Sequence, residues 1–61
     1  MNKEKVIKGI AMVRRTGLTN MFNRNNVILI LKEFGYNEIA DYLEEHKKEY
    51  LELLKASGNI E

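Results

Sequence analysis

The stretch Thr-Gly-Leu-Thr-Asn-Met-Phe-Asn, residues 16–23, decides how this chain folds. It carries no charge, although 31% of the residues in the chain are charged. A basic segment with helical spacing precedes it, and the apolar run 27–31 follows it. We therefore expect a connector between two helices. Because a solvated connector would not need Leu18, Met21 and Phe22, it is also a candidate functional surface.

The length of 61 residues predicts one small domain, spanning 1–61. A chain of this size buries only about 60% of its unfolded surface and is marginally stable alone. Disulfides, a metal or a partner subunit usually add stability at this size. The chain has no cysteine and one histidine, which excludes a disulfide and argues against a structural zinc site. We therefore expect a homodimer, with no metal and no cofactor.

The N-terminal segment lacks the features of a signal peptide, because lysines interrupt its apolar residues. The longest apolar run, 27–31, is far shorter than the roughly 20 residues of a membrane span. The first helix has no aromatic residue on its apolar face, so we do not expect it to lie on a membrane surface either. The sequence predicts a soluble, cytoplasmic protein.

The segment before the connector predicts a first helix over about residues 3–15. Asn2 is placed to cap it, and Gly17 lies just past its end, where a left-handed residue is common. Gly9 inside this helix costs roughly 1 kcal/mol relative to alanine. If the helix forms, Gly9 indicates a close approach between helices.

The segment after the connector predicts a second helix over about residues 24–34, with Asn23 as its cap and Gly35 beyond it. Its centre, 27–31, is apolar on all sides, which favours a buried central helix. The β-branched residues there also suit a strand, but a single strand would have no partner to pair with.

The third helix is predicted over about residues 37–57, where apolar residues recur at alternating four- and three-residue steps. We expect a dimer interface along this heptad-like seam. The seam residues are Ile39, Leu43, His46, Tyr50 and Leu53. The three helices together predict an all-α three-helix unit, and residues 59–61 are expected to be frayed.

Charge is divided between the two halves of the chain. Residues 1–32 hold seven basic residues and one acid, a formal charge of +6. Residues 33–61 hold eight acids and three lysines, a formal charge of −5. This division suits a basic helix packed beside an acidic one, or two subunits that dock head to tail. Such surface pairs add little energy but can fix orientation.

The connector and the arginines around it form the candidate partner-binding surface, because aromatic, methionine and arginine residues are enriched at interface cores. Its residues are Arg14, Arg15, Thr19, Asn20, Met21 and Arg24. A purely structural alternative has Met21 or Phe22 packed as a hydrophobic staple near Val27. Both interpretations hold together if Phe22 is buried while Thr19, Asn20 and Met21 face a partner.

Nucleic-acid binding is the alternative function, with the basic first helix and Arg24 as the phosphate-binding groups. A helix-turn-helix that reads DNA with the third helix is not expected. Its would-be recognition helix begins with Glu38 and Asp41 and continues with Glu44, and these carboxylates would repel phosphate.

No group of residues forms a recognisable catalytic site. His46 falls on the apolar seam, and Glu44 and Glu45 are adjacent and point to different faces. The glycines lack the spacing and the lysine of a phosphate-binding loop. We therefore expect a protein that is not an enzyme.

Residues 16–22, Thr-Gly-Leu-Thr-Asn-Met-Phe, and 44–50, Glu-Glu-His-Lys-Lys-Glu-Tyr, resemble a family of short phage and prophage proteins of unknown function. That family comes mostly from Gram-positive bacteria, and the resemblance covers nearly the whole length, including Gly35 and Tyr36. Asn23 stands where the family usually has aspartate. The resemblance implies a phage or mobile-element protein in the cytoplasm of a host cell.

We therefore expect an accessory protein that acts by non-catalytic binding to a host or phage protein, for example as a modulator or inhibitor of a host defence protein. The alternatives are a small nucleic-acid-binding regulator and a phage assembly accessory factor.

Overall fold

The computed structural model describes residues 2–58, which contain helices and no strand. The elements of this range are α1 (Lys3–Thr16), α2 (Arg24–Glu33), α3 (Asn37–Glu45), a 3-10 turn (Lys47–Glu49) and α4 (Tyr50–Gly58). The all-α prediction is confirmed, and α1 and α2 end within one residue of their predicted bounds. The fraying predicted for 59–61 lies outside the described residues.

The predicted helix caps are also confirmed. The Asn2 side chain accepts a hydrogen bond from the backbone N–H of Glu4 at 2.8 Å, and Asn23 accepts one from Asn26 at 3.2 Å. Gly17 follows α1 in the left-handed region, with φ of 66°. Each cap satisfies groups that a helix end leaves without an intrahelical partner.

The predicted third helix over 37–57 is wrong, because the chain turns at His46 (φ −120°, ψ 55°) and continues as the 3-10 turn and α4. A straight helix over that range would be about 31 Å long, whereas the longest dimension of the molecule is 23 Å. The turn lets α3 pack on α2 while α4 packs on α1. Residues 2–58 therefore form four α-helices instead of three.

The predicted dimer seam lies inside a single chain. Ile39, Leu43, Tyr50 and Leu53 are all buried in the core that the four helices share, and His46 is half-buried at the turn. The seam spacing survives the turn because α3 and α4 both face this one core. A second copy could reach the four buried side chains only if the fold opened, so they do not provide a dimer interface in this conformation.

Gly9 in α1 and the apolar run 27–31 in α2 both differ from ordinary helix positions in what surrounds them. An ideal Cβ on Gly9 would lie 2.9 Å from Cδ1 of Ile39, so the close helix approach indicated by Gly9 is present. The run 27–31 is not buried on all sides: Val27, Ile28 and Leu31 are buried, but Leu29 is 57% exposed. The outer face of α2 therefore carries an apolar side chain.

Candidate binding surface

The connector between α1 and α2 is held by its own hydrogen bonds. The Asn20 side chain accepts one from the backbone N–H of Phe22 at 2.9 Å, and the Asn20 carbonyl accepts one from Asn23 at 2.9 Å. At the other end, the Thr16 hydroxyl donates to the Val13 carbonyl at 2.6 Å. Asparagine and threonine commonly form such local turns. The connector therefore has a defined conformation.

Met21 faces the protein interior. Its side chain packs against the hydrophobic core, and its carbonyl accepts a hydrogen bond from the Tyr50 hydroxyl at 2.5 Å. Tyr50 lies at the start of α4, so this contact ties the connector to the far end of the chain. Met21 thus has the anchoring role that the structural interpretation gave to Met21 or Phe22. Because its side chain is only half-buried, its contact with a partner stays a prediction.

Phe22 and Leu18 face solvent instead. Phe22 is 76% exposed and Leu18 is 64% exposed, although both lie on a connector with a defined conformation. The expectation that Phe22 is buried is therefore wrong. The two neighbours therefore have different roles: Met21 anchors the connector, and Phe22 extends from it into solvent. The sequence marked the connector as unusual but gave no sign of which apolar side chain turns outward.

Arg14 and Arg24 are directed at backbone carbonyls of the two last helices. Nη2 of Arg14 donates to the carbonyl of Leu54 at 3.3 Å, and Nη1 of Arg24 donates to the carbonyl of Leu43 at 3.0 Å. Leu43 lies in the last turn of α3, where carbonyls lack intrahelical partners. Both arginines are half-buried. These hydrogen bonds join α1 to α4 and α2 to α3, whether or not the arginines also contact a partner.

The same two arginines influence the buried tyrosine below the connector. Burial raises the pKa of the Tyr50 phenol above its ordinary 10.0, while the positive charges of Arg14 and Arg24 act to lower it. The phenol is therefore neutral at physiological pH and able to donate its proton to Met21. Tyr50, Met21 and the two arginines form the structural base on which the connector rests.

The remaining predicted contact residues have separate positions. Thr19 is half-buried and its hydroxyl accepts a hydrogen bond from the Asn26 side chain at 3.4 Å. Asn20 is exposed, but its side chain is used within the connector. Arg15 is exposed on α1 and borders a groove between α1 and α3. Of the six predicted residues, Asn20 and Arg24 line one depression beside Phe22, whereas Arg15 lines the groove between α1 and α3.

The exposed side of α2 continues from the connector. One shallow depression is lined by Phe22 and Asn25 together with Asn20, Asn23 and Arg24, and a second is lined by Asn25 and Leu29 together with Ile28 and the charged residues Arg24, Lys32, Glu44 and Lys47. Because the two depressions share Arg24 and Asn25, the surface is continuous from the connector along α2. We call the surface formed by Leu18, Phe22, Asn25 and Leu29 the connector surface. The second half of this surface was not predicted, because Leu29 lies in an apolar run that was expected to be buried on all sides.

His46 has a structural position at the turn between α3 and α4. Its ring stacks on Tyr42 with the ring centroids 4.0 Å apart, and its Nδ1 lies 2.9 Å from the Tyr42 carbonyl. The Tyr42 hydroxyl donates to Glu49 at 2.9 Å. Partial burial, that hydrogen bond and the Glu49 charge all raise the pKa of the Tyr42 phenol.

Within residues 2–58, no three histidine or acidic side chains lie together as a possible metal site. The helices of this range are likewise too short or too polar to span a bilayer.

The fold and its surfaces define a small all-α protein with exposed apolar side chains on its connector and on α2. The chain belongs to the family described as Domain of unknown function (DUF5049), whose model matches residues 1–54. This match includes the connector, α2, α3 and the turn that follows α3. No significant match was found among curated proteins or among solved structures.

Proposed function

We propose that this protein is a non-catalytic binding module that uses the connector surface to bind another protein. The observation that carries the proposal is the position of Phe22, which is 76% exposed at the tip of a connector with a defined conformation. Burying a phenylalanine side chain on association contributes about 1.5–3 kcal/mol. The fold gains nothing comparable from leaving this side chain in water.

The arrangement of the connector supports binding over incidental exposure. Single exposed apolar residues are common on protein surfaces. Here three large apolar side chains, Leu18, Phe22 and Leu29, are exposed on the connector and α2. Arg24 lines the depressions beside Phe22 and Leu29, and aromatic and arginine residues are enriched together at interfaces. The hydrogen bonds of Asn20 and the anchor at Met21 fix the connector before a partner arrives. Such preorganisation lowers the entropy lost on binding.

The resemblance to phage and prophage proteins supports a partner encoded by the host or by the phage. In that setting the module would act in the host cytoplasm as a modulator or inhibitor, with host defence proteins as one class of target, or as an assembly accessory factor. A second copy of the chain is a competing partner. A homodimer would then form through the connector surface, since the core residues of α3 and α4 are occupied within one chain.

A nucleic-acid-binding regulator has less support. Two of the basic residues that would bind phosphates, Arg14 and Arg24, donate to backbone carbonyls instead. Lys32 also pairs with Glu44 at 3.0 Å, which joins the basic half of the chain to the acidic half. The accessible positive charge is therefore smaller than the sequence suggested.

The test compares three forms of the tagged protein in a lysate of a Gram-positive host: wild type, Phe22→Ser and Leu51→Ser. Leu51 is a matched control, because it is a large apolar residue on α4 that is 56% exposed. We expect Phe22→Ser to lose at least about tenfold in recovery of a specific protein, as for an interface hot spot. Leu51→Ser should retain recovery.

Circular dichroism should show equal helix content for all three forms. Equal recovery by wild type and Phe22→Ser would contradict the proposal. Sedimentation of the purified wild type separates the competing case, since self-association lost in Phe22→Ser would identify a second copy as the partner.

A further inference from the structure

A further concave surface shares no lining residue with the depressions of the connector surface. This groove has a volume of about 690 Å³ and runs between α1 and the start of α3. Pockets of about 300–1,000 Å³ are typical of binding sites.

The floor of the groove is apolar. It consists of the bare backbone of Gly9, with Met12 and Ile39 beside it, and Tyr36 lines the opposite wall. An added Cβ on Gly9 would lie 2.9 Å from Cδ1 of Ile39, so α1 and α3 approach closely here and the Ile39 side chain would have to shift to accommodate it. A ligand that fits this floor must offer an apolar group.

The rim of the groove is basic. Lys5, Lys8 and Arg15 are exposed along one side of α1, at spacings of three and seven residues. Lys8 lies 3.8 Å from Glu4, with both side chains exposed, a pair that contributes little. Among the described residues, Lys5 and Arg15 have no ion-pair partner. Glu38 is the one acidic residue that lines the groove.

We infer that this groove is a docking site for an acidic amphipathic helix of a partner protein. An apolar floor with a basic rim is complementary to a helix that carries apolar residues on one face and carboxylates beside them. The rim from Lys5 to Arg15 spans about 15 Å along α1, which equals roughly three turns of a bound helix. Lys5 and Lys8 would pair with carboxylates at one end, and Arg15 with one at the other.

A nucleic-acid strand fits the same groove less well. Its phosphates would extend beyond the three cations of the rim. Counterion release gives high affinity only when many phosphates are neutralised. The apolar floor also contributes nothing to a phosphate backbone.

The test selects binders from a random library of 16-residue peptides displayed on ribosomes, with the full-length protein as bait. We expect enrichment of peptides that combine aspartate or glutamate with apolar residues at three- and four-residue spacing. The triple variant Lys5→Gln, Lys8→Gln, Arg15→Gln should bind a selected peptide at least tenfold more weakly. Replacing Lys47, Lys48 and Lys55 by glutamine removes the same charge elsewhere and should change the affinity less than twofold.

Enriched peptides without acidic residues, no enrichment at all, or equal losses in both triple variants would overturn the inference. A pool of random 20-nucleotide single-stranded DNA tests the other ligand class. DNA binding that the rim variant alone loses, with no peptide enriched, would assign the groove to nucleic acid instead. The inference does not rest on the connector surface, so Phe22→Ser should leave peptide binding unchanged, and each proposal can fail alone.

Discussion

The connector between α1 and α2 and the turn between α3 and α4 both join helices without proline, but they place their aromatic side chains in opposite ways. At the turn, the Tyr42 ring stacks on His46 and its hydroxyl donates to Glu49. At the connector, Leu18 and Phe22 extend into solvent. The turn uses its aromatic residues to hold one chain together, whereas the connector leaves its own unused by the fold.

This difference supports the proposed division of the molecule into a turn that stabilises the fold and a connector that binds a partner. A chain of 61 residues has little apolar surface to bury and is marginally stable. Folding alone would therefore favour turning Phe22 inward beside Met21. Its exposure on a fixed connector is the strongest indication that the connector surface serves a partner.

The largest effect is expected from paired substitutions at the two neighbours. Met21→Ser removes a side chain that packs on the core and should lower the free energy of unfolding by about 1–2 kcal/mol, less than for a fully buried methionine. Phe22→Ser alters a mostly exposed side chain and should change it by less than about 0.5 kcal/mol. Urea unfolding followed by circular dichroism measures both.

Equal destabilisation by the two serine variants would remove the distinction between anchor and exposed residue. Together with the recovery experiment, the two variants should separate stability from binding. Met21→Ser should lower the stability, and Phe22→Ser should lower the recovery of the partner.

The sequence predicts the helix ends of this molecule better than it predicts the direction of the chain. Cap residues such as Asn2 and Asn23 act locally, so the starts of α1 and α2 were predicted correctly. The turn at His46 was missed because residues on both sides of it face the same core, and their spacing therefore continues through it. Periodicity reports which residues are buried, but it does not report a change in the direction of the chain.

The candidate site was harder to predict for a related reason. Charge identified Arg14 and Arg24, but their direction depends on carbonyls of Leu54 and Leu43 that are distant in sequence. Likewise, the run 27–31 contains no sign that Leu29 is its exposed member. Which side of a helix lacks a neighbour is decided by tertiary packing.

A smaller effect should follow from removing the hydroxyl that joins the two regions. Tyr50→Phe leaves the Met21 carbonyl without its donor and should cost about 1 kcal/mol at pH 8. The difference from wild type should shrink as the pH rises from about 10, the ordinary phenol pKa, through the higher folded value. Above pH 10 the unfolded phenol ionises first, so wild type loses stability that the variant cannot lose.

Urea unfolding of both proteins between pH 8 and 11 tests this expectation. Every other ionisable group is the same in both proteins, so the contributions of those groups largely cancel in the difference. A difference that stays constant up to pH 11 would show that burial does not raise the Tyr50 pKa, and that Tyr50 joins the two regions less tightly than the structure indicates.

The smallest expected effect concerns Asn23, which caps α2 directly beside the exposed Phe22. Asparagine and aspartate cap about equally well, but the first turn of α2 contains no acidic residue. A carboxylate at this position would interact favourably with the helix dipole, so Asn23→Asp should raise the free energy of unfolding by about 0.5 kcal/mol. Urea unfolding at low and high salt measures the gain, which screening should reduce.

Since the backbone N–H of Asn26 would still have its acceptor, Phe22 should keep its position, and partner recovery should match wild type. A gain in stability accompanied by a loss of recovery would mean that the partner contacts the uncharged cap itself, which would extend the connector surface to Asn23.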